Sequence, residues 1–193
     1  MKNNLNLAAK NQICTIPNLL SLFRIALIPL FVWLYCIKQE FLWTGGILLL
    51  SGLTDLVDGW VARRFHMISD VGKILDPVAD KLTQAAMLLC LISRFPLMLA
   101  ALVLLIIKEL FAGAMGLLVI RRTGQVFGAR WHGKAATCLL YAMMICHAVW
   151  PTIPADLSTF IILLCIGMMV LSLVLYSIQN IRAWRRAKSG KEG

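Results

Sequence analysis

The chain has 193 residues, 60% of them hydrophobic and 15% charged, with a net charge of +10 and a mean hydropathy of +0.82. A soluble domain is about 45–50% apolar and about 25% charged, so this composition excludes an ordinary soluble fold and indicates an all-α integral membrane protein. The positive excess then reads as cytoplasmic loop charge and contact with anionic membrane lipid, not as nucleic-acid binding.

Residues 1–15 form a polar N-terminal segment, cytosolic or interfacial, with Lys2 and Lys10. The first apolar run, about 16–37, is long enough to cross a hydrocarbon core of about 30 Å. No small-residue cleavage site follows it, so a signal peptide is not expected. Arg24 lies within this span, and its charge either snorkels to the interface or faces a polar interior. Pro29 is placed to kink the helix. A second span covers about 41–63 and a third about 72–92, joined by a polar connection. Arg94-Phe95-Pro96 reads as a turn. The fourth span, about 97–120, holds the adjacent pair Lys108-Glu109, whose side chains are expected to project differently. A loop follows with Arg121, Arg122, Gly124, Gly128 and Arg130, then His132-Gly133-Lys134. The fifth and sixth spans cover about 135–150 and 157–178, and residues 182–193 read as a basic cytosolic tail. The six cysteines, at 14, 36, 90, 138, 146 and 165, lie in or beside apolar segments without CxxC spacing and are expected as small buried hydrophobes.

Lys and Arg concentrate in the N-terminal tail, the 63–73 connection, the 121–134 loop and the C-terminal tail. That asymmetry puts both termini on the cytoplasmic side of a cell membrane, and six spans agree, since both termini then lie on one side. Without internal repeats or a soluble segment, 16–181 is expected to be one membrane domain: a six-transmembrane-helix bundle with a polar metal-binding cavity at its cytoplasmic end.

The cavity is read from the carboxylates. Five of the nine acidic residues fall in 55–80, DLVDGWVARRFHMISDVGKILDPVAD. Asp55 and Asp58 are three apart, and Asp76 and Asp80 four apart, so each pair shares a helix face. Carboxylates within apolar sequence usually face a bundle interior or a water-filled cavity. Four oxygen donors without matching Cys or His suit Mg²⁺ or Mn²⁺ better than zinc. Two such pairs can hold two ions at a spacing of about 3.5–4 Å, which clamps a phosphoryl centre during in-line displacement. Gly59 and Gly72 leave room for close approach of backbone to a ligand, Ala62 fits the same logic, and Arg63 can donate in pairs to phosphate oxygens.

With Asp55-x-x-Asp58-Gly59-x-x-Ala62-Arg63, eight residues, Gly72, then Asp76 and Asp80, the stretch resembles the signature of the CDP-alcohol phosphatidyltransferase family at all eight positions. The resemblance implies transfer of a phosphatidyl group from CDP-diacylglycerol to an alcohol with release of CMP. It implies metal ligation by Asp55, Asp58, Asp76 and Asp80, with Asp80 also the general base. A carboxylate is a weak base, useful there only if the hydroxyl is polarised as well. Pro17-Asn18-x-x-Ser21-x-x-Arg24 resembles the family's first-helix pattern with Ser for Thr. It implies that Asn18, Ser21 and Arg24 border the CDP-lipid site together with Gly59, Ala62, Arg63 and Gly72. The LDPVADK run, 75–81, and Gly133-Lys134-x-x-Thr137 are similar to those of phosphatidylglycerophosphate and cardiolipin synthases, with Lys108-Glu109 where those commonly carry Arg-Glu. Lys108, Arg121, Arg130 and Lys134 can bind the phosphate of a small acceptor, which favours glycerol 3-phosphate. Phosphatidylglycerol or an inositol-type alcohol is the alternative acceptor. A homodimer is also implied by the resemblance. A reading from another class, a small cation transporter, shares the intramembrane Asp, but repeat symmetry of the transporter kind is not apparent.

Overall fold

A computed structural model describes residues 16–65, 72–123 and 131–189; for 16–17, 55–65, 72–74, 119–123, 132 and 182–189 only the backbone is described. These residues form six long helices: α1 (Ile16–Trp33), α2 (Phe41–Phe65), α3 (Gly72–Ile92), α4 (Met98–Thr123), α5 (Trp131–Val149) and α6 (Ala155–Ser189). Among them, Asn18–Lys38, Met98–Leu118 and Ala155–Ile181 are long and apolar enough to cross a membrane, while the apolar stretches of α2 and α5, Phe41–Thr54 and Gly133–Val149, are shorter. Large apolar side chains such as Leu19, Leu42, Trp43, Leu110 and Phe160 are exposed, as a lipid-facing surface requires. In lipid, helices gain little by burying apolar surface against each other, so close packing and interhelical hydrogen bonds carry the association.

The helices fall into two compact units. The first comprises residues up to Arg94 with Met144–Thr152; the second comprises Phe95–Met143 with Ile153 onward. In the first unit α1 packs on both α2 and α3. Its inward stripe, Asn18, Ser21, Arg24, Leu27, Phe31 and Tyr35, is wholly buried, at the steps of three and four that place residues on one helix face. The stripe is polar in its first half and largely apolar in its second. α3 repeats the design: half-buried Asp76 and Asp80 and buried Thr83 and Gln84 precede buried Met87, Leu88 and Leu91. Ser21 near the start of α1 hydrogen-bonds Asp76 near the start of α3, and Cys36 neighbours Cys90 at the far ends. The two helices therefore run in the same direction with their polar halves together.

Pro29 lies inside α1 without ending it. The helix instead widens into a π-helical segment, Leu34–Lys38, closed by Gln39 in the left-handed conformation (φ 56°) with the Glu40 amide donating to the Leu34 carbonyl at 3.0 Å. This short turn is fixed by aromatic contacts. Tyr35 and Phe41 meet edge to face at 5.7 Å, and the Arg94 guanidinium lies 4.6 Å from the Phe41 ring. Buried Thr44 and Thr83 return their hydroxyls to the carbonyls of Glu40 and Ala79, both at 2.9 Å, which satisfies them within their own helices.

Gly45 is buried and Gly46 exposed on α2. A Cβ on Gly45 would collide with a methyl of Val149, whereas one on Gly46 would meet nothing. An Ala for Gly exchange gains about 0.8–1 kcal/mol of helix propensity, and overpacking costs about 1–3 kcal/mol. Gly46→Ala is thus expected to hold or raise the melting temperature of the detergent-solubilised protein, and Gly45→Ala to lower it. Equal behaviour of the two variants would mean that the close approach at Gly45 is not what the helix contact needs.

In the second unit α4 packs on α6. Ser158, Ile162, Cys165, Met169, Ser172 and Asn180 are buried on α6, as are Met98, Ala101, Leu102 and Leu105 on α4; Ala136, Leu140 and Met143 of α5 are buried in the same unit. Tyr176 donates its hydroxyl to the Ala112 carbonyl of α4 at 3.4 Å, beside Gly116.

Two helices run past the spans that the apolar sequence marks: α5 begins at Trp131 and α6 continues to Ser189. Apolar periodicity marks what lies in lipid, not where the helix ends, and Ala, Arg and Lys continue a helix well. Cys90 and Cys165 are buried as expected, but Cys36 and Cys138 are exposed, because an apolar surrounding faces outward as readily as inward in a membrane helix.

Candidate functional site

The described part of the site lies in the first unit. Asp76 and Asp80 are on the first turns of α3, which starts at Gly72 as expected. Pro77 stands between them, inside the helix. Lacking an N–H, it leaves the carbonyl four residues earlier, Lys73, without its helical partner. The two carboxylates are held differently. Asp76 accepts a hydrogen bond from the Ser21 hydroxyl of α1, across a helix contact. Asp80 accepts from the Gln84 amide, whose nitrogen is 3.0 Å from both carboxylate oxygens, and pairs with the Lys81 ammonium at 3.2 Å. Hydrogen bonds to a carboxylate are worth about 1.5–3 kcal/mol each, so both groups are oriented before any ligand arrives.

Asn18, Ser21 and Arg24 are all buried. The Arg24 side chain is 0% exposed, which settles its direction: it faces the interior and does not snorkel. α2 carries Asp55, Asp58, Gly59, Ala62 and Arg63 on its C-terminal helical turns, but their side chains, with Gly72's surroundings, lie outside the described residues. Among the described residues no group of three His, Cys, Asp or Glu side chains gathers around a point, so half of the expected ligand set is visible here. That half has the chemistry a hard divalent cation takes: two carboxylates one helical turn apart, with oxygen donors only.

Of the acceptor-phosphate candidates, Lys108 and Lys134 lie in the second unit. Lys108 pairs with Glu109 at 2.9 Å, against the expectation that these neighbours diverge; long flexible side chains on adjacent helical positions can still converge at their tips. Lys134 is exposed at the start of α5, and Thr137 donates back to the Gly133 carbonyl at 3.2 Å. The Arg121 side chain and all of Arg130 fall outside the described residues. Gln84 and Lys81 are the contacts that motif reading missed; their signal was the helical spacing of 80, 81 and 84.

A helical chain with large apolar side chains exposed and an oriented pair of carboxylates on one helix fits a membrane protein, and its family is found by comparison. The model of the CDP-alcohol phosphatidyltransferase family matches residues 14–184, and the chain belongs to that family of membrane enzymes. It is similar to the CMP-forming cardiolipin synthase of Streptomyces coelicolor, 41% identical over 145 residues that cover 68% of this chain and 64% of that protein. It is also similar to the CDP-diacylglycerol–glycerol-3-phosphate 3-phosphatidyltransferase of Bacillus subtilis, 37% identical over 138 residues, 63% of this chain and 70% of that one. The protein of the same name from Rickettsia bellii is 36% identical over 81 residues, 41% of this chain and 45% of its own length.

Proposed function

We propose that the chain transfers the phosphatidyl group of CDP-diacylglycerol to glycerol 3-phosphate, giving phosphatidylglycerophosphate and CMP. The observation that carries the chemistry is the pre-oriented pair Asp76 and Asp80 in a chain whose family match spans 14–184. The acceptor rests on the basic residues Lys108, Arg121, Arg130 and Lys134 and on the name of the Bacillus relative. In this reading the acceptor hydroxyl oxygen bonds to the phosphorus that carries diacylglycerol. The P–O bond to CMP breaks, CMP leaves, and Asp80 takes the hydroxyl proton. Arg24, with Asn18, Arg63 and the small residues Gly59, Ala62 and Gly72, binds the CDP-lipid head. Asp55, Asp58, Asp76 and Asp80 would hold Mg²⁺ or Mn²⁺, which supplies neutralisation of charge on the reacting and leaving phosphates. All six helices span the membrane with both termini cytoplasmic, and the enzyme works as a homodimer.

A second reading changes only the acceptor. The 41% identity to the Streptomyces cardiolipin synthase favours phosphatidylglycerol, and Lys108, a single-point donor where an Arg would pair, is a weaker clamp for a small phosphate. The test is CMP release by purified protein with CDP-diacylglycerol, a divalent metal, and glycerol 3-phosphate, phosphatidylglycerol or inositol phosphate in parallel. Release that depends on glycerol 3-phosphate is expected; release that depends only on phosphatidylglycerol would make the enzyme a cardiolipin synthase. Metal flux into vesicles without CMP release from any acceptor would remove the enzyme reading.

A further inference from the structure

Gln84 lies one helical turn beyond Asp80, outside every family motif position, and is 0% exposed. A buried primary amide needs partners for both ends. Here Nε2 is 3.0 Å from Asp80 Oδ1 and 3.0 Å from Oδ2, and Oε1 is 3.5 Å from the Lys81 ammonium, which itself contacts Asp80 Oδ2 at 3.2 Å. The charges fix which way the amide points. Turned over, it would set its oxygen against a carboxylate and its NH₂ against an ammonium. The equal distances matter more. A nitrogen equidistant from both oxygens sits on the bisector of the carboxylate, in the mouth where a cation would chelate. While it is there, contacts of Asp80 with a ligand are made from the outer edge of one oxygen or the other.

We infer that Gln84 is a positioning residue for Asp80: its amide fills the chelating mouth of the carboxylate, so that Asp80 engages a cation through one oxygen and keeps an edge of the carboxylate for the acceptor hydroxyl. Lys81 fixes the amide's orientation. This rests on the functional reading above for the roles of Asp80, and on the distances alone for the geometry. The division of labour follows from the spacing. One carboxylate can serve both as ligand and as proton acceptor only if it does not spend both oxygens on one ion.

The test uses the full chain, purified in detergent, with Mn²⁺ as the probe. Mn²⁺ binding is titrated by the loss of its free electron-paramagnetic-resonance signal, and CMP release is measured in parallel. For Gln84→Leu, kcat is expected to fall about 10–100-fold and the Mn²⁺ dissociation constant to change by a similar factor, as for other groups that orient metal ligands. KM for CDP-diacylglycerol should stay within about twofold of wild type, on the same view that Gln84 orients a ligand and does not touch the lipid. In an Asp80→Asn background, Gln84→Leu should leave Mn²⁺ binding where Asp80→Asn put it, because the residue acts through Asp80. Gln84→Glu, which keeps the length and stays polar, carries the test if the Leu variant loses its cooperative melt. Unchanged Mn²⁺ binding and kcat in both variants would overturn the proposal. So would a Gln84→Leu effect on Mn²⁺ that persists in full without the Asp80 carboxylate. If wild type releases no CMP with any acceptor, the functional reading falls and the Mn²⁺ titration alone decides the role of Gln84.

Discussion

Asp80→Asn is expected to slow CMP release by about 10³-fold, in the range that a positioned proton acceptor contributes, while CDP-diacylglycerol still binds with an affinity within a few-fold of wild type. The substitution is close to isosteric. The Gln84 amide, now 3.0 Å from both carboxylate oxygens, can still donate to the Asn carbonyl oxygen, so the α3 turn keeps its internal bond. What is lost is the negative charge and the capacity to accept a proton. Binding is measured with a fluorescent or radiolabelled CDP-lipid, and turnover as CMP release at saturating acceptor. A parallel collapse of binding and turnover would show that Asp80 serves the lipid head or the metal alone, and the general-base role would be withdrawn.

Arg24→Met should raise KM for CDP-diacylglycerol by about 10²-fold, since hydrogen bonds to charged groups contribute about 1.5–3 kcal/mol each and a guanidinium can give two to a diphosphate. Met has similar length and no charge, so the slot in the α1 stripe between Ser21 and Leu27, both buried, stays filled. Removing one member of a buried charged network can itself cost about 3–5 kcal/mol of stability, so the melting temperature is followed alongside KM. A variant with normal KM but a depressed melting temperature would make Arg24 a structural cation for neighbouring helices. The substrate role would then pass to Arg63 alone.

What could be read before the structure was known divides along a physical line. Spacing gives shared faces. It correctly sets Asp76 and Asp80 together, opens α3 at Gly72 and closes it at Ile92, and puts Asn18, Ser21 and Arg24 on one stripe. It does not give partners across helices. Ser21 is placed by its motif beside a lipid site, but the motif does not show that its hydroxyl is donated to Asp76, 55 residues away, a contact set by how α1 lies against α3. Gln84 was within reach as an i, i+4 neighbour of Asp80, but spacing alone does not say which rotamer a long amide takes. Lys108 and Glu109 show the same limit. The π-helical segment Leu34–Lys38 leaves no mark in an apolar run, because hydropathy is blind to whether the helix has 3.6 or more residues per turn. Inside from outside is equally hard to tell where both are apolar, as the exposed Cys36 and buried Cys90 show.

The polar half of the α1 stripe also has a history in the making of the protein. Chains are synthesised from the N-terminus, so α1 reaches the bilayer before α3 exists. At that moment Ser21 lacks its Asp76 partner, and Arg24, in the first third of the apolar stretch Asn18–Lys38, opposes insertion, though by less than the about 2.5–3.5 kcal/mol of a lone Arg at a helix centre. The apolar residues that later face lipid, Leu19, Leu22, Phe23 and Leu30, must offset that on their own. The residues that hold the interior together are therefore a liability during insertion, and become an asset only when the third helix arrives.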